Sequence, residues 1–88
     1  MSYAVVWSSP ARRSIETLAE KTATAVVEYI YAVVAENPPQ AGHALHFELE
    51  GMYSARRGDF RVIYTIDDEA ESITIVAIGH RSDIYRSR

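Results

Sequence analysis

Three stretches of β-forming residues follow one another between positions 49 and 80 with almost nothing to separate them. They span about 49 to 57, 59 to 67 and 72 to 80, divided by Gly58 and by the acidic segment Asp67 to Glu71. Connections this short favour antiparallel neighbours, with Gly58-Asp59 as a tight hairpin and the acidic segment as a solvated turn. Side chains alternate across a strand, so Phe60, Val62, Tyr64 and Ile66 share one face while Arg61, Ile63 and Thr65 share the other. The first set is expected against the rest of the chain, which leaves Arg61 on an open face. In the third stretch Ile73, Ile75 and Ala77 alternate with Thr74, Val76 and Ile78, apolar on both faces, as in a central strand.

The cover for this sheet must come from upstream. Residues 3 to 8 read as a short first strand, after which Ser9-Pro10 marks a helix start. Ala11, Ile15, Leu18 and Ala19 recur at helical spacing. A second helix is expected from about Thr22 to Glu36, with Ala23, Val26, Val27, Ile30, Val33 and Val34 inward and Asn37-Pro38-Pro39 ending it. The short link around Glu20 and Lys21 makes the pair a helical hairpin. Gln40 to Phe47 is expected to be a loop carrying His43 and His46. The expectation is an α+β domain of order β-α-α-β-β-β, its helical hairpin packed on a mainly antiparallel four-stranded sheet.

Eighty-eight residues make one domain, 1–88, with room for a modest core. The chain has no cysteine, which excludes disulfides, thiol nucleophiles and cysteine-based metal sites. Three histidines at spacings of three and 34 residues make a poor zinc set, so no metal and no cofactor are expected. No signal-peptide pattern opens the chain and no apolar run is long enough to span a membrane, so a cytoplasmic location is expected.

The net charge of −3 hides an asymmetry. Lys21 is the only lysine, and six of the eight arginines come after residue 55: Arg56, Arg57, Arg61, Arg81, Arg86 and Arg88. A guanidinium is a planar fork suited to phosphate oxygens. The segment from Gly79 to Arg86 adds His80, Arg81 and Tyr85 beyond the last strand. Taken alone these residues also fit a solvated terminus. Arg61 fits that reading poorly, because Phe60 and Val62 flank it in mid-strand. Three arginines with an aromatic ring among them suit a phosphodiester and a stacked base.

The run Gly51-Met52-Tyr53-Ser54-Ala55-Arg56-Arg57-Gly58-Asp59-Phe60-Arg61-Val62-Ile63-Tyr64 resembles the RelE branch of the RelE/ParE toxin superfamily. So do Asn37-Pro38 and Gly42 before it and His80 to Tyr85 after it. The resemblance implies the toxin of a type II toxin-antitoxin pair, a ribosome-dependent endoribonuclease that cuts mRNA in the A site. In such a reaction the ribose 2′-hydroxyl attacks the adjacent phosphate without a metal, which requires a base, an acid and positive charge on the phosphorane.

By position, the resemblance gives Arg61 the stabilisation of the transition state and Arg81 the scissile phosphate. It gives Tyr85 base stacking or proton transfer. Arg56 falls where the family often has a basic residue, and His43 where it commonly has a lysine; with Arg57 and Arg86 they form the expected RNA-binding set. The lysines that some members carry on the Arg56 strand are missing, which leaves the base open among Tyr85, His80 and His43; His80 joins Arg61, Arg81 and Tyr85 in the expected catalytic set. The implied partners are an antitoxin whose helix wraps the toxin, the ribosome and mRNA, with no membrane. Two alternatives share the fold: a ParE-like inhibitor of DNA gyrase, and a non-catalytic binding module.

Overall fold

The computed structural model describes residues 2–80. Its five-stranded sheet has the order β1-β5-β4-β3-β2, from β1 (Ala4–Trp7), β2 (His43–Ala44), β3 (Tyr53–Arg57), β4 (Phe60–Asp67) and β5 (Ser72–His80). Only β1 runs parallel to its neighbour, β5; the other pairs are antiparallel. The helices are α1 (Ser9–Thr17), α2 (Glu20–Tyr29), which runs on into a π turn over Ile30–Val34, and the short α3 (Pro38–Ala41). The expected α+β architecture is present, and β5 is central as its two apolar faces require. The sheet has five strands rather than four because the expected loop contains β2, two residues that pair with Tyr53 and Ser54.

Helix α1 is capped by Ser8, one residue before the expected start. Its hydroxyl accepts a hydrogen bond from the Ala11 amide at 3.2 Å and donates one to the Val76 carbonyl at 3.0 Å, while its own amide reaches the Ile75 carbonyl at 3.1 Å. One side chain therefore ends β1, starts α1 and ties both to β5. The π turn interrupts the second helix and buries Ile30, Val34 and Ala35 while leaving Val33 exposed, against the expected inward face. A π turn holds more residues per turn than an α-helix, which rotates Val33 off the stripe. Pro38-Pro39 ends this helix as expected and also begins α3, where proline's missing N–H costs nothing.

The core lies between helices and sheet: Ala11, Val26, Ile30 and Val34 meet Ala55, Val62, Tyr64, Ile73, Ile75 and Ile78. In β4 the alternation is as expected, with Val62 and Tyr64 fully buried on the helix side. In β5 it breaks. Ile63 pairs with Ala77 but Tyr64 pairs with Ile75, leaving Val76 as an extra residue in a β-bulge. Ile73 and Ile75 before the bulge and Ile78 after it share the core. Ala77, which would share a face with Ile75 in an unbroken strand, lies opposite Ile63 instead. The bulge carbonyl is the one that Ser8 satisfies.

Ser8→Ala removes the α1 cap and the partner of the Val76 carbonyl together. A loss of about 1–2 kcal/mol is expected, measured by urea unfolding.

Candidate active site on the open sheet face

The β3–β4 hairpin fixes the first two components. Gly58 takes φ +62 as the first central residue of the two-residue turn, a conformation that glycine adopts without steric cost. That turn sets the register, so Arg57 pairs with Phe60 and Arg56 with Arg61. Arg56 and Arg61 stand directly opposite one another, and like charges so placed destabilise a sheet unless an anion lies between them. On its other side Arg61 pairs with Gly79, which has no side chain to cover it. The Arg61 Nε is buried and has no hydrogen-bond partner among the described residues. A buried donor left unmade is costly, and it marks a place where a ligand oxygen would be welcome.

The third component arrives from the far side of the core. Tyr64 is fully buried on β4, and its hydroxyl donates to the Pro38 carbonyl at 2.7 Å. Its ring stacks on Tyr53, with centroids 5.7 Å apart. Burial raises the Tyr64 phenol well above its ordinary 10.0, with smaller contributions from Tyr29 and Tyr53, so it remains a donor at neutral pH. Immediately after α3, Gly42 passes so close to β3 that a Cβ there would lie 2.4 Å from the Ser54 carbonyl oxygen and 2.8 Å from the Tyr64 hydroxyl. Its φ of −140 suits any residue, so the requirement is for space. With Pro38 held by Tyr64 and Gly42 pressed on Ser54, His43 pairs with Ser54 at the rim of the sheet.

A cleft of about 320 Å³ results, lined by Ala41, Gly42, His43, Ser54, Arg56 and Arg61. Two guanidinium groups and an imidazole face it, with no carboxylate among the described lining residues. Such a set can grip a phosphodiester through charge-assisted hydrogen bonds. Of the residues expected from sequence, the structure thus brings together Arg56, Arg61 and His43.

Arg57 and His80 lie elsewhere. Arg57 alternates to the helix side, where it lines a second cleft of about 280 Å³ with Lys21, Thr22 and Phe60. There it partly offsets the effect of burial, which raises the Tyr29 phenol. His80 pairs with Phe60, and the two rings meet edge to face at 5.8 Å. Phe60 packs against the core, so His80 is on the face opposite Arg61. The bulge is the cause. Unbroken alternation from Ile73 would put His80 on the open face; the extra residue at Val76 moves Gly79 there and turns His80 away. Arg81, Tyr85 and Arg86 lie outside the described residues. The sequence reading missed Pro38, Gly42, Ser54 and Tyr64 as supports of the site; a proline pair, a glycine and an imidazole in quick succession were the available signal.

Helices packed on one face of a mixed five-stranded sheet, with a cationic cleft on the other face, define the class of fold. Residues 5–85 match the family described as ParE toxin of type II toxin-antitoxin system, parDE, and the chain belongs to it. Within it the RelE branch is the nearer relation. Toxin RelG of Mycobacterium tuberculosis (strain ATCC 25618 / H37Rv) is 41% identical over 86 residues, covering 98% of this chain and 99% of that protein. Toxin RelE of the same organism is 43% identical over 84 residues, covering 96% and 87%. Among solved structures, the toxin-antitoxin complex RelBE2 from Mycobacterium tuberculosis superposes with a TM-score of 0.89 at 37% identity, covering 94% of this chain and 95% of that one. The intact E. coli RelBE complex, at 16% identity and a TM-score of 0.74 over 90% and 96%, shares the fold.

Tyr64→Phe leaves the buried Pro38 carbonyl without its donor, and about 1–3 kcal/mol of stability is expected to go, read by chemical denaturation at neutral pH. The same contact predicts a pH dependence. Unfolded Tyr64 ionises at its ordinary 10.0 while the folded chain holds it neutral to higher pH. Its stabilisation is complete below pH 10.0 and is lost as pH rises toward the folded-state value. Unfolding titrations of the parent should weaken over that alkaline window more steeply than those of Tyr64→Phe.

Proposed function

We propose that this toxin is an endoribonuclease that enters the ribosomal A site and cuts mRNA there, stopping translation and growth. The observation that carries the reading is the paired Arg56 and Arg61 on the sheet face opposite the helices, with the Arg61 Nε buried and unpartnered among the described residues. The chemistry is attack of a ribose 2′-hydroxyl on the adjacent phosphate, giving a cyclic phosphate and a 5′-hydroxyl. Neither a metal nor a redox group is needed. Negative charge grows on the phosphorane oxygens as the bond forms, and a guanidinium aimed at them stabilises that state more than the substrate. Arg61 has this role, with Arg56 gripping the neighbouring backbone.

By family resemblance Arg81 and Tyr85 complete the site as phosphate binder and as stacking or proton-transfer group; Arg86 would extend the RNA contact. The orientation of Arg57 and His80 toward the helix side favours leaving them out of the cleft chemistry. Dependence on the ribosome is supported by how few groups line the cleft among the described residues: these grip a phosphate, but orienting an mRNA for in-line attack falls to the A site. An antitoxin that covers the toxin would hold it inactive in the cytoplasm. The resemblance of the chain to toxins crystallised with RelB supports that partner.

Induced expression with transcriptome-wide mapping of 5′-hydroxyl RNA ends tests the reading. Cuts in phase with codons are expected from the parent, reduced by about 10²–10³-fold in Arg61→Ala. Arg56→Ala should cost less, because a contact made equally in ground and transition states changes binding rather than turnover. Growth arrest with DNA damage and intact mRNA would instead support the gyrase-directed alternative.

A further inference from the structure

We propose that His43 is the base that takes the proton from the attacking 2′-hydroxyl, an inference that rests on the RNA-cleavage reading above. Among the described residues, six line the cleft. Arg56 and Arg61 carry guanidinium groups, which offer hydrogen-bond donors and no acceptor. Ala41 and Gly42 have no titratable group, and Ser54 offers a hydroxyl. The nearby Tyr64 phenol is committed to the Pro38 carbonyl and is held neutral by burial. Imidazole is the side chain that both takes up and releases a proton near neutrality.

The three histidines separate cleanly by position. His80 stacks edge to face on Phe60, on the helix side of the sheet. The ring of His46 meets Phe47, beyond the end of β2. His43 alone of the three lines the cleft that holds Arg61, and it is exposed, so a substrate can reach it.

Placement alone does not make a base; it must also be held. β2 is two residues long and would be a weak anchor by itself. It is fixed from behind by Gly42 against the Ser54 carbonyl and by α3, which the Tyr64 hydroxyl grips at Pro38. The backbone that carries the imidazole is thus tied to the same two strands that carry Arg56 and Arg61.

The step balances without further reagents. An imidazole nitrogen accepts the 2′-hydroxyl proton as the 2′ oxygen bonds to phosphorus. The bond from phosphorus to the 5′ oxygen then breaks, and that oxygen is protonated by the imidazolium, or by a water whose hydroxide then takes the imidazolium proton. The products are a 2′,3′-cyclic phosphate and a 5′-hydroxyl, with the imidazole returned to its starting state.

Single-turnover cleavage of mRNA on programmed ribosomes tests this, with the purified parent, His43→Gln, His43→Ala and His46→Gln compared. His43→Gln is expected to slow cleavage about 100-fold or more, with ribosome affinity and thermal unfolding unchanged. His46→Gln should cleave at the parental rate, and added imidazole should restore part of the rate to His43→Ala, which a purely structural role would not allow. Parental cleavage by His43→Gln overturns the inference while leaving the RNA-cleavage reading intact. A loss confined to ribosome affinity overturns it as well, by making His43 a phosphate-binding group. A parent that leaves ribosome-bound mRNA uncut removes the RNA-cleavage reading, and the inference with it.

Discussion

The hydrogen bond from Tyr64 to the Pro38 carbonyl joins the middle of the sheet to the turn after the long helix, 26 residues away in the chain. Tyr64 belongs to the centre of the sheet, and Pro38 opens the short helix that follows the long one. Burial makes the bond matter. With the phenol out of water, breaking the contact would leave the hydroxyl to find another partner in a buried setting, at a cost. The tyrosine's neighbours enforce the same geometry, Tyr53 by stacking on its ring and Gly42 by leaving room above its hydroxyl. What looks like a core contact is also the support for one wall of the candidate site.

The other wall depends on a hairpin and a bulge. The Gly58 turn sets Arg56 opposite Arg61, a juxtaposition that works against the sheet and is tolerable where an anion is to be bound. The bulge at Val76 then decides which residues of β5 flank Arg61. By inserting one residue it presents Gly79 to the open face and sends His80 to the helix side, while keeping Ile78 in the core. Ser8 stabilises this irregularity by taking the bulge carbonyl, so the end of the first strand helps to shape the site three strands away.

Fold and family could be read from the sequence because they rest on local signals. Alternating residues in β4, helical spacing before Asn37 and turn chemistry at Gly58 each specify their element within a few residues. The pairing of β4 with its neighbours follows from connections too short for any other arrangement. The placing of Arg61 on the face opposite the helices followed from the same alternation, since its neighbours Val62 and Tyr64 had to be inside. The run from Gly51 to Tyr64 marked the family.

What sequence could not decide were the features that depend on contacts far apart in the chain. A bulge leaves no sure trace when both faces of a strand are apolar, so the facing of His80 required the register between β4 and β5. The π turn that exposes Val33 reflects how the second helix fits over the sheet. The residue pair at His43-Ala44 is too short to announce itself as a strand and exists because Gly42 and Pro38 are held in place. The sequence by itself determined the elements, their order and the side of the sheet on which Arg61 stands, because those follow from period and turn length. Tertiary structure decided which imidazole joins Arg61, because that depends on one inserted residue in β5 and one buried hydroxyl on β4.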